Sequence, residues 1–115
     1  ELESDGAGYN GDHGNIYLRR FNGASMSSAV GIFIPYDITI VGLSMAWVGA
    51  RSGAVQIRRS GTVVENIAFP TATSVVDMDL NADFDSGGIL AFSTSNHTST
   101  LVSPQLRCWW RRRAS

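Results

Sequence analysis

The sequence contains no lysine, and all nine of its basic residues are arginines. Arginine carries a planar, weakly hydrated cation that is favoured in partly buried ion pairs and interfaces, whereas lysine usually covers freely solvated surface. This bias is typical of a protein that assembles with other subunits. Ten acidic residues leave a net charge of −1, which gives no electrostatic reason to expect nucleic acid as a partner.

Cysteine is almost as scarce, since Cys108 is the only one. A single cysteine excludes a disulfide within the chain and provides no metal-ligand spacing. No apolar run approaches the length of a membrane helix, so no membrane partner is expected. The first residues also lack the charged and apolar regions of a signal peptide, and none is predicted.

No segment has the apolar spacing of an amphipathic helix. The chain instead shows about eight short stretches of apolar alternation, separated by turn-forming residues at intervals of about 8 to 12 residues. This spacing predicts an all-β fold, an antiparallel β-sandwich or jelly roll of about eight strands. Residues 1–15 carry four glycines and no apolar periodicity. We therefore expect a flexible Gly-rich N-terminal segment there and one β-sandwich domain over residues 16–115.

The most apolar stretch is the predicted strand over residues 38–48. Alternate positions form an apolar row, Val41, Leu43, Met45 and Trp47. The positions between them would face solvent in a half-buried strand, yet Ile38, Ile40 and Val48 are apolar as well. Since no predicted helix is available to cover a second apolar face, we expect another subunit to cover it. Ile38, Ile40 and Val48 are therefore predicted to lie in a subunit interface.

Turn-forming residues predict how the middle of the chain is divided. A turn is expected over residues 49–53 and a loop over residues 70–74, because Gly, Ser, Pro and Thr cluster there. Ser60-Gly61 is typical of a two-residue hairpin turn, so the strands on either side of it should pair.

Arginines stand next to one another at three places, Arg19-Arg20, Arg58-Arg59 and Arg111-Arg112-Arg113. Neighbouring side chains of a strand point to opposite faces, so one guanidinium of each set points inward unless the set lies at a strand end. Two interpretations follow. Either each set lies at a strand end beside carboxylates, or its guanidinium groups stack across a subunit boundary. The second interpretation adds Arg59 and Arg111 to the predicted interface.

The last predicted strand, residues 106–112, alternates clearly. Leu106, Cys108 and Trp110 share one face. If that face packs in the core, Trp109 lies outside between Arg107 and Arg111. An exposed tryptophan flanked by arginines is typical of a protein contact or of a sugar-stacking platform. We add Trp109 to the predicted interface, and the alternative is that a neighbouring loop covers it.

The residue types that carry catalysis have no partners at a recognisable spacing. Cys108 is predicted in mid-strand, and the two histidines, His13 and His97, lie in different loops. Neither a G-x-S-x-G motif nor a phosphate-binding loop is present. The sequence thus predicts no enzyme, no catalytic residue and no cofactor. Tyr9, His13 and His97 are the candidates for ligand binding.

Acidic residues or asparagine occupy every second position of residues 77–85, which imitates the start of a calcium loop. Ala82 stands where the sharp turn of that loop needs Gly, and no Glu closes the pattern at its twelfth position. The same spacing places polar groups on the solvent face of a strand, which is the interpretation we favour. No metal site is predicted.

Several segments together resemble a known family. They are the strand and turn over residues 34–44 (IPYDITIVGLS), the strand and turn over residues 55–61 (VQIRRSG), the turn over residues 80–88 (LNADFDSGG) and the final aromatic strand running into Arg111-Arg112-Arg113. This order resembles the small β-sandwich domains at the C-termini of tailed-bacteriophage virion proteins, which include head fibres, decoration proteins and tail-fibre tips. The sequence departs from that pattern at Gly88, where such families usually have Asp.

The resemblance implies a homotrimeric domain of a virion, an extracellular particle, that binds rather than turns over a substrate. Its expected partners are copies of itself, and other virion proteins or a glycan of the host cell surface. The family provides no catalytic residues. Two other functions stay open: a carbohydrate-binding module with Trp109 or Tyr9 stacking on a sugar, and a trimeric signalling or complement-type jelly roll.

Overall fold

The computed structural model describes residues 1–14, 17–20, 22–95 and 100–113. Within them the chain is all-β and antiparallel, which confirms the predicted fold class. The strands in these residues are β1 (Glu3–Gly8), β2 (Asp12–His13), β3 (Ile32–Ile34), β4 (Ile38–Arg59), β5 (Thr62–Asp77), β6 (Ala82–Phe84), β7 (Gly88–Ser95) and β8 (Leu101–Arg112). They form one sheet in the order β1-β8-β4-β7-β3, with β2 beside β8 and with β5 and β6 beside β4.

β4 and β5 form one long hairpin that organises the sheet. Ser60 (φ 48°) and Gly61 (φ 92°) make its turn, with the left-handed pair of residues that two-residue hairpins favour. The predicted turn over residues 49–53 and loop over residues 70–74 are wrong, because both segments continue their strands and pair across the hairpin. The register shifts in this part of the ladder let the hairpin bend.

The bend divides β4 between two layers. Residues 38–48 pair with β8, and residues 54–59 pair with β7. β1 extends the first layer beyond β8, and β3 extends the second layer beyond β7. The core lies between the two layers.

A short segment joins the far edges of the layers. Gly8 of β1 exchanges two backbone hydrogen bonds of 2.8 and 2.7 Å with Arg19, and the nearby Tyr17 bridges β7. The sheet is therefore curled on itself. Ile16 and Phe21, on either side of this segment, lie outside the described residues.

The core is apolar and continuous. Fully buried members include Ile38, Ile40, Leu43, Val55 and Ile57 of β4 together with Phe84, Leu90, Phe92, Leu101 and Cys108. Leu106, Cys108 and Trp110 are buried on one side of β8, as their alternation predicts.

A β-bulge at Val41 explains why β4 is apolar at both odd and even positions. Ile40 lies opposite Trp110 and Gly42 lies opposite Trp109, so Val41 is an extra residue in the ladder between β4 and β8. One extra residue reverses the alternation of side chains. The even-numbered apolar residues before the bulge therefore face the same core as the odd-numbered ones after it.

The assignment of Ile38 and Ile40 to a subunit interface is corrected by this geometry. Both side chains are fully buried by the chain itself, on the same side as Leu43 beyond the bulge. No second subunit is needed to cover them. Val48, at the other end of the segment, is 63% exposed.

The N-terminal segment is also more ordered than expected. Residues 3–8 form β1, which pairs along its whole length with β8, and residues 12–13 form β2 on the same strand. Gly6, Ala7 and Gly8 are buried in this ladder. The segment lacks apolar alternation because backbone pairing, rather than a row of large side chains, places it in the sheet.

Candidate functional site

One side of the first layer is left open to solvent. On β4 it consists of Gly42, Ser44, Ala46 and Val48. The residues paired with these add Ser74 and Val76 from β5 and Val102, Gln105, Arg107 and Trp109 from β8, and Met78 follows just after β5. We call this surface the exposed sheet face.

The exposed sheet face has large apolar side chains at its margins and small ones at its centre. Val76 is 67% exposed, Val48 is 63% exposed and Met78 is 48% exposed. The Met78 side chain lies over Gly42, where any Cβ would collide with its sulfur. A single exposed apolar residue is ordinary, but several on one side of one layer are typical of a contact surface.

Trp109 and Arg111, both predicted interface residues, lie on the outer side of β8. Trp109 is half-buried and opposite Ser4 of β1, and Arg111 is exposed. Arg107 lies two residues before Trp109 on the same side of β8. It donates a hydrogen bond of 2.9 Å to Ser4 Oγ. The fold thus brings Val48, Trp109 and Arg111 to one side of the sheet, although they are far apart in the sequence.

Arg59 lies elsewhere, at the end of β4 in the second layer. Its Nε and a terminal nitrogen donate to the backbone oxygens of Asp85 and Ser86, at 3.0 and 3.1 Å. Its guanidinium carbon is 5.7 Å from the centroid of the Phe84 ring. These contacts hold the turn between β6 and β7, so Arg59 acts within the chain and does not contribute to the exposed sheet face.

Arg112, the last residue of β8, and Arg113, which follows it, both lie beside carboxylates. This agrees with the interpretation that places adjacent arginines at a strand end. Arg112 Nε donates to Glu3 Oε1 at 3.2 Å, and its guanidinium lies 3.7 Å from the centroid of the Tyr36 ring. Arg113 donates to Asp85 Oδ1 at 2.8 Å. The hydrogen bond from Arg112 lowers the pKa of Glu3, and the same bond raises the pKa of Arg112.

The acidic pattern of residues 77–85 is engaged in contacts within the chain. Asp77 Oδ1 accepts the backbone N–H of Asp79 at 3.0 Å, and Asp83 Oδ1 accepts the Thr39 hydroxyl at 3.1 Å. Across the described residues, no group of three or more His, Cys, Asp or Glu side chains is placed to hold a metal ion.

A second candidate surface is a pocket of about 280 Å³ where β1 ends. It is lined by Gly8, Tyr9, Asn10, Arg19, Arg20, Gly23 and Gln105. Gly8 is needed for this junction, since a Cβ there would approach the backbone oxygen of Pro104 to 2.9 Å. Because Gly8 also bonds to Arg19, three chain segments meet at the pocket.

Of the three predicted ligand-binding residues, Tyr9 lines this pocket. His13 is fully buried, and its ring centroid lies 4.9 Å from that of Tyr9. His13 therefore packs behind the Tyr9 ring and does not reach a ligand at the surface, which corrects its assignment. His97 lies outside the described residues.

Cys108 is fully buried in β8. Burial raises the pKa of its thiol far above the ordinary range. A buried neutral thiol packs as a small apolar group and is a poor nucleophile.

The described residues thus form a curled antiparallel β domain, and the exposed sheet face and the pocket beside Tyr9 are its candidate functional features. No protein-family model matches this chain, and neither a curated protein nor a solved structure matches it. Within the described part of the chain, no helix is long and apolar enough to cross a membrane.

Sequence reasoning missed most of the pocket. The sequence marks Arg19 and Arg20 only as adjacent arginines, and no pattern in it indicates Gln105. Tyr9 and the adjacent arginines were the available signals, because the other lining residues come together only through the pairing of β1 with β8 and with the Arg19 segment.

Proposed function

We propose that this chain is a non-enzymatic structural and adhesive domain of a phage virion that self-associates as a trimer through its exposed sheet face. Its loops then remain free to contact a capsid, a host surface or a glycan. The observation that carries the proposal is the solvent exposure of Val48, Val76 and Met78 on one side of one layer. The trimer and the virion come from the resemblance of the sequence to small β-sandwich domains of phage virion proteins.

The shape of the exposed sheet face favours another sheet as its partner. Ser44 and Ala46 project little above the backbone, and the Met78 side chain covers Gly42. Sheets that pack face to face lie about 10 Å apart. Half-buried Trp109 flanks this flat centre, and aromatic residues are enriched in interface cores. Other copies of the chain present the same flat, apolar chemistry, so three of them can turn this face toward a shared threefold axis.

Charge does not oppose this association. The net charge of the chain is −1. Among the residues that define the exposed sheet face, Arg107 carries the charge, and its guanidinium is already bonded to Ser4. Depletion of charged residues is what distinguishes the core of an interface from other surface.

Val76→Glu tests the proposal. The wild-type chain should have three times its 12.4-kDa mass in light scattering and native mass spectrometry at micromolar concentration. The variant should be a monomer with an unchanged fold, because association would bury an unpaired carboxylate. The matched control is Val63→Glu, the same substitution in the same strand at a valine that is 42% exposed in the second layer, and it should remain a trimer.

Two outcomes would contradict the proposal. A wild-type monomer at these concentrations removes self-association altogether. A trimer that survives Val76→Glu but is lost in Val63→Glu places the contact on the second layer instead.

A further inference from the structure

We propose that the pocket beside Tyr9 binds a small acidic sugar, with the carboxylate at Arg19 and Arg20 and the hydroxyl groups at neighbouring side-chain amides. This inference does not rest on self-association through the exposed sheet face, with which the pocket shares Gln105.

The pocket carries positive charge that no carboxylate of the described residues neutralises. Arg19 and Arg20 line it, and its described lining residues include no Asp or Glu. The ion pairs among the described residues all involve Arg112 or Arg113. Two adjacent arginines without a carboxylate partner, in a chain whose net charge is −1, are typical of a site for an anion.

Both arginines are held by contacts that leave donors available. Arg20 donates one terminal N–H to the Gly31 carbonyl at 3.1 Å, and a guanidinium has five N–H donors in all. The Arg19 guanidinium carbon lies 5.4 Å from the centroid of the Tyr9 ring, which itself packs on buried His13. Side chains that are already held in place lose less conformational entropy when a ligand binds.

The rest of the lining suits a polyhydroxyl ring. Asn10 and Gln105 each offer an amide donor and an amide acceptor, and Tyr9 adds a phenol. The volume of about 280 Å³ lies just below the range of roughly 300 to 1,000 Å³ for drug-sized ligands, which suits a single sugar ring. Because the Arg19 guanidinium lies over the Tyr9 ring, the sugar is held by polar edge contacts and not by stacking on that face.

The test is an amide ¹H–¹⁵N NMR titration of the whole chain with three probes at equal ionic strength. Glucuronate supplies the carboxylate and the hydroxyl groups, methyl glucoside supplies only the hydroxyl groups, and sulfate supplies only the charge. Glucuronate should shift the amides of Tyr9, Asn10, Gly23 and Gln105 in a saturable way. The other two probes should bind about tenfold or more weakly, the loss expected when a charge-assisted contact or several hydroxyl contacts are missing.

Arg19→Gln should weaken glucuronate binding about tenfold or more. Its fold should survive, because the bonds between Arg19 and Gly8 are made by the backbone, and unchanged shifts outside the pocket will verify this. The matched control, Arg111→Gln on the outer side of β8, should bind glucuronate like the wild type.

The proposal is overturned if glucuronate gives no saturable shift at the pocket, or if Arg19→Gln binds it as well as the wild type. Equal affinity for sulfate would reduce the pocket to a plain anion site and overturn the sugar assignment. The mass of the chain is measured in the same samples, so failure of the proposed trimer and failure of this site are told apart.

Discussion

The two halves of β4 have outer faces of opposite character. In residues 38–48 the outer side chains are small or apolar, and the last of them, Val48, is 63% exposed. In residues 56–58 the outer side chains, Gln56 and Arg58, are polar, and Gln56 is only 5% exposed. One continuous strand therefore presents an apolar surface that is open and a polar surface that is covered.

Hydrogen bonds within the chain account for the covered half. Gln56 Nε2 donates to Ser95 Oγ at 2.6 Å, and Ser93 Oγ donates to Gln56 Oε1 at 2.9 Å. Arg58 Nε donates to Ser93 Oγ at 2.8 Å, and its guanidinium carbon lies 5.6 Å from the centroid of the Tyr17 ring. The chain thus satisfies its polar outer face with its own residues, and the apolar outer face is the one available to another molecule.

Among the variants that compare the inner and outer faces of β4, Ile40→Ala is expected to lower the stability of the fold the most. Ile40 is fully buried, so the substitution should leave a cavity and lower the free energy of unfolding by about 2–4 kcal/mol. Val48→Ala, in the same half of β4 but on the exposed sheet face, should lower it by about 0.5 kcal/mol or less. Urea denaturation of the two variants beside the wild type measures the difference.

The same pair separates core from interface. Val48→Ala should weaken self-association more than it weakens the fold, and Ile40→Ala should do the reverse. If the Ile40→Ala chain kept wild-type stability but no longer formed the trimer, the assignment of Ile40 to the core would be wrong and its assignment to the interface would be correct.

The first half of β4 also marks what could be predicted from the sequence. Apolar alternation predicts strands, and the all-β antiparallel class is confirmed. Alternation could not locate the bulge at Val41, because a bulge is a property of the register with β8, a strand far away in the sequence. A prediction that ignores the bulge therefore assigns Ile38 and Ile40 to the outer side of the sheet instead of the core. β1 was missed for a related reason, since its place depends on backbone pairing with β8.

The second effect compares two glutamines, one on each outer face. Gln56→Leu should lower the free energy of unfolding by about 1–3 kcal/mol, because buried hydroxyls of the second layer lose their partner. Gln105→Leu, on the exposed sheet face, should change it by about 0.5 kcal/mol or less. Thermal or urea unfolding of both variants measures this difference, and equal small losses would show that the Gln56 network contributes nothing to stability.

The two candidate surfaces differ in how far the sequence could predict them. Val48 and Trp109 could be found, since each is a large apolar residue at an outward position of an alternating strand. The pocket could not, because Tyr9, Arg20 and Gln105 lie on three segments that only the closure of the sheet brings together. Local sequence patterns predict which face of a strand a residue occupies. A site at a junction between strands can be predicted only when the pairing order of the strands is known.

The smallest expected effect is a loss of stability in acid, and it should act on the fold rather than on self-association. The hydrogen bond from Arg112 lowers the pKa of Glu3, and the backbone N–H of Ser86 lowers the pKa of Asp37. A carboxyl whose pKa is lower in the folded chain stabilises the fold above its unfolded pKa, and this stabilisation is lost as pH falls through the folded value. The midpoint temperature of thermal unfolding should therefore decrease when the pH is below about 4. The decrease should be modest because both carboxyls are accessible to solvent.

Glu3→Gln should remove part of this acid dependence, whereas Val48→Ala, which changes no titratable group, should keep all of it. The residues that define the exposed sheet face include no carboxyl, so a chain that is still folded in acid should keep its neutral-pH mass in light scattering. A trimer that dissociates in acid before the chain unfolds would contradict an apolar contact, because association would then depend on an ionised group outside the exposed sheet face.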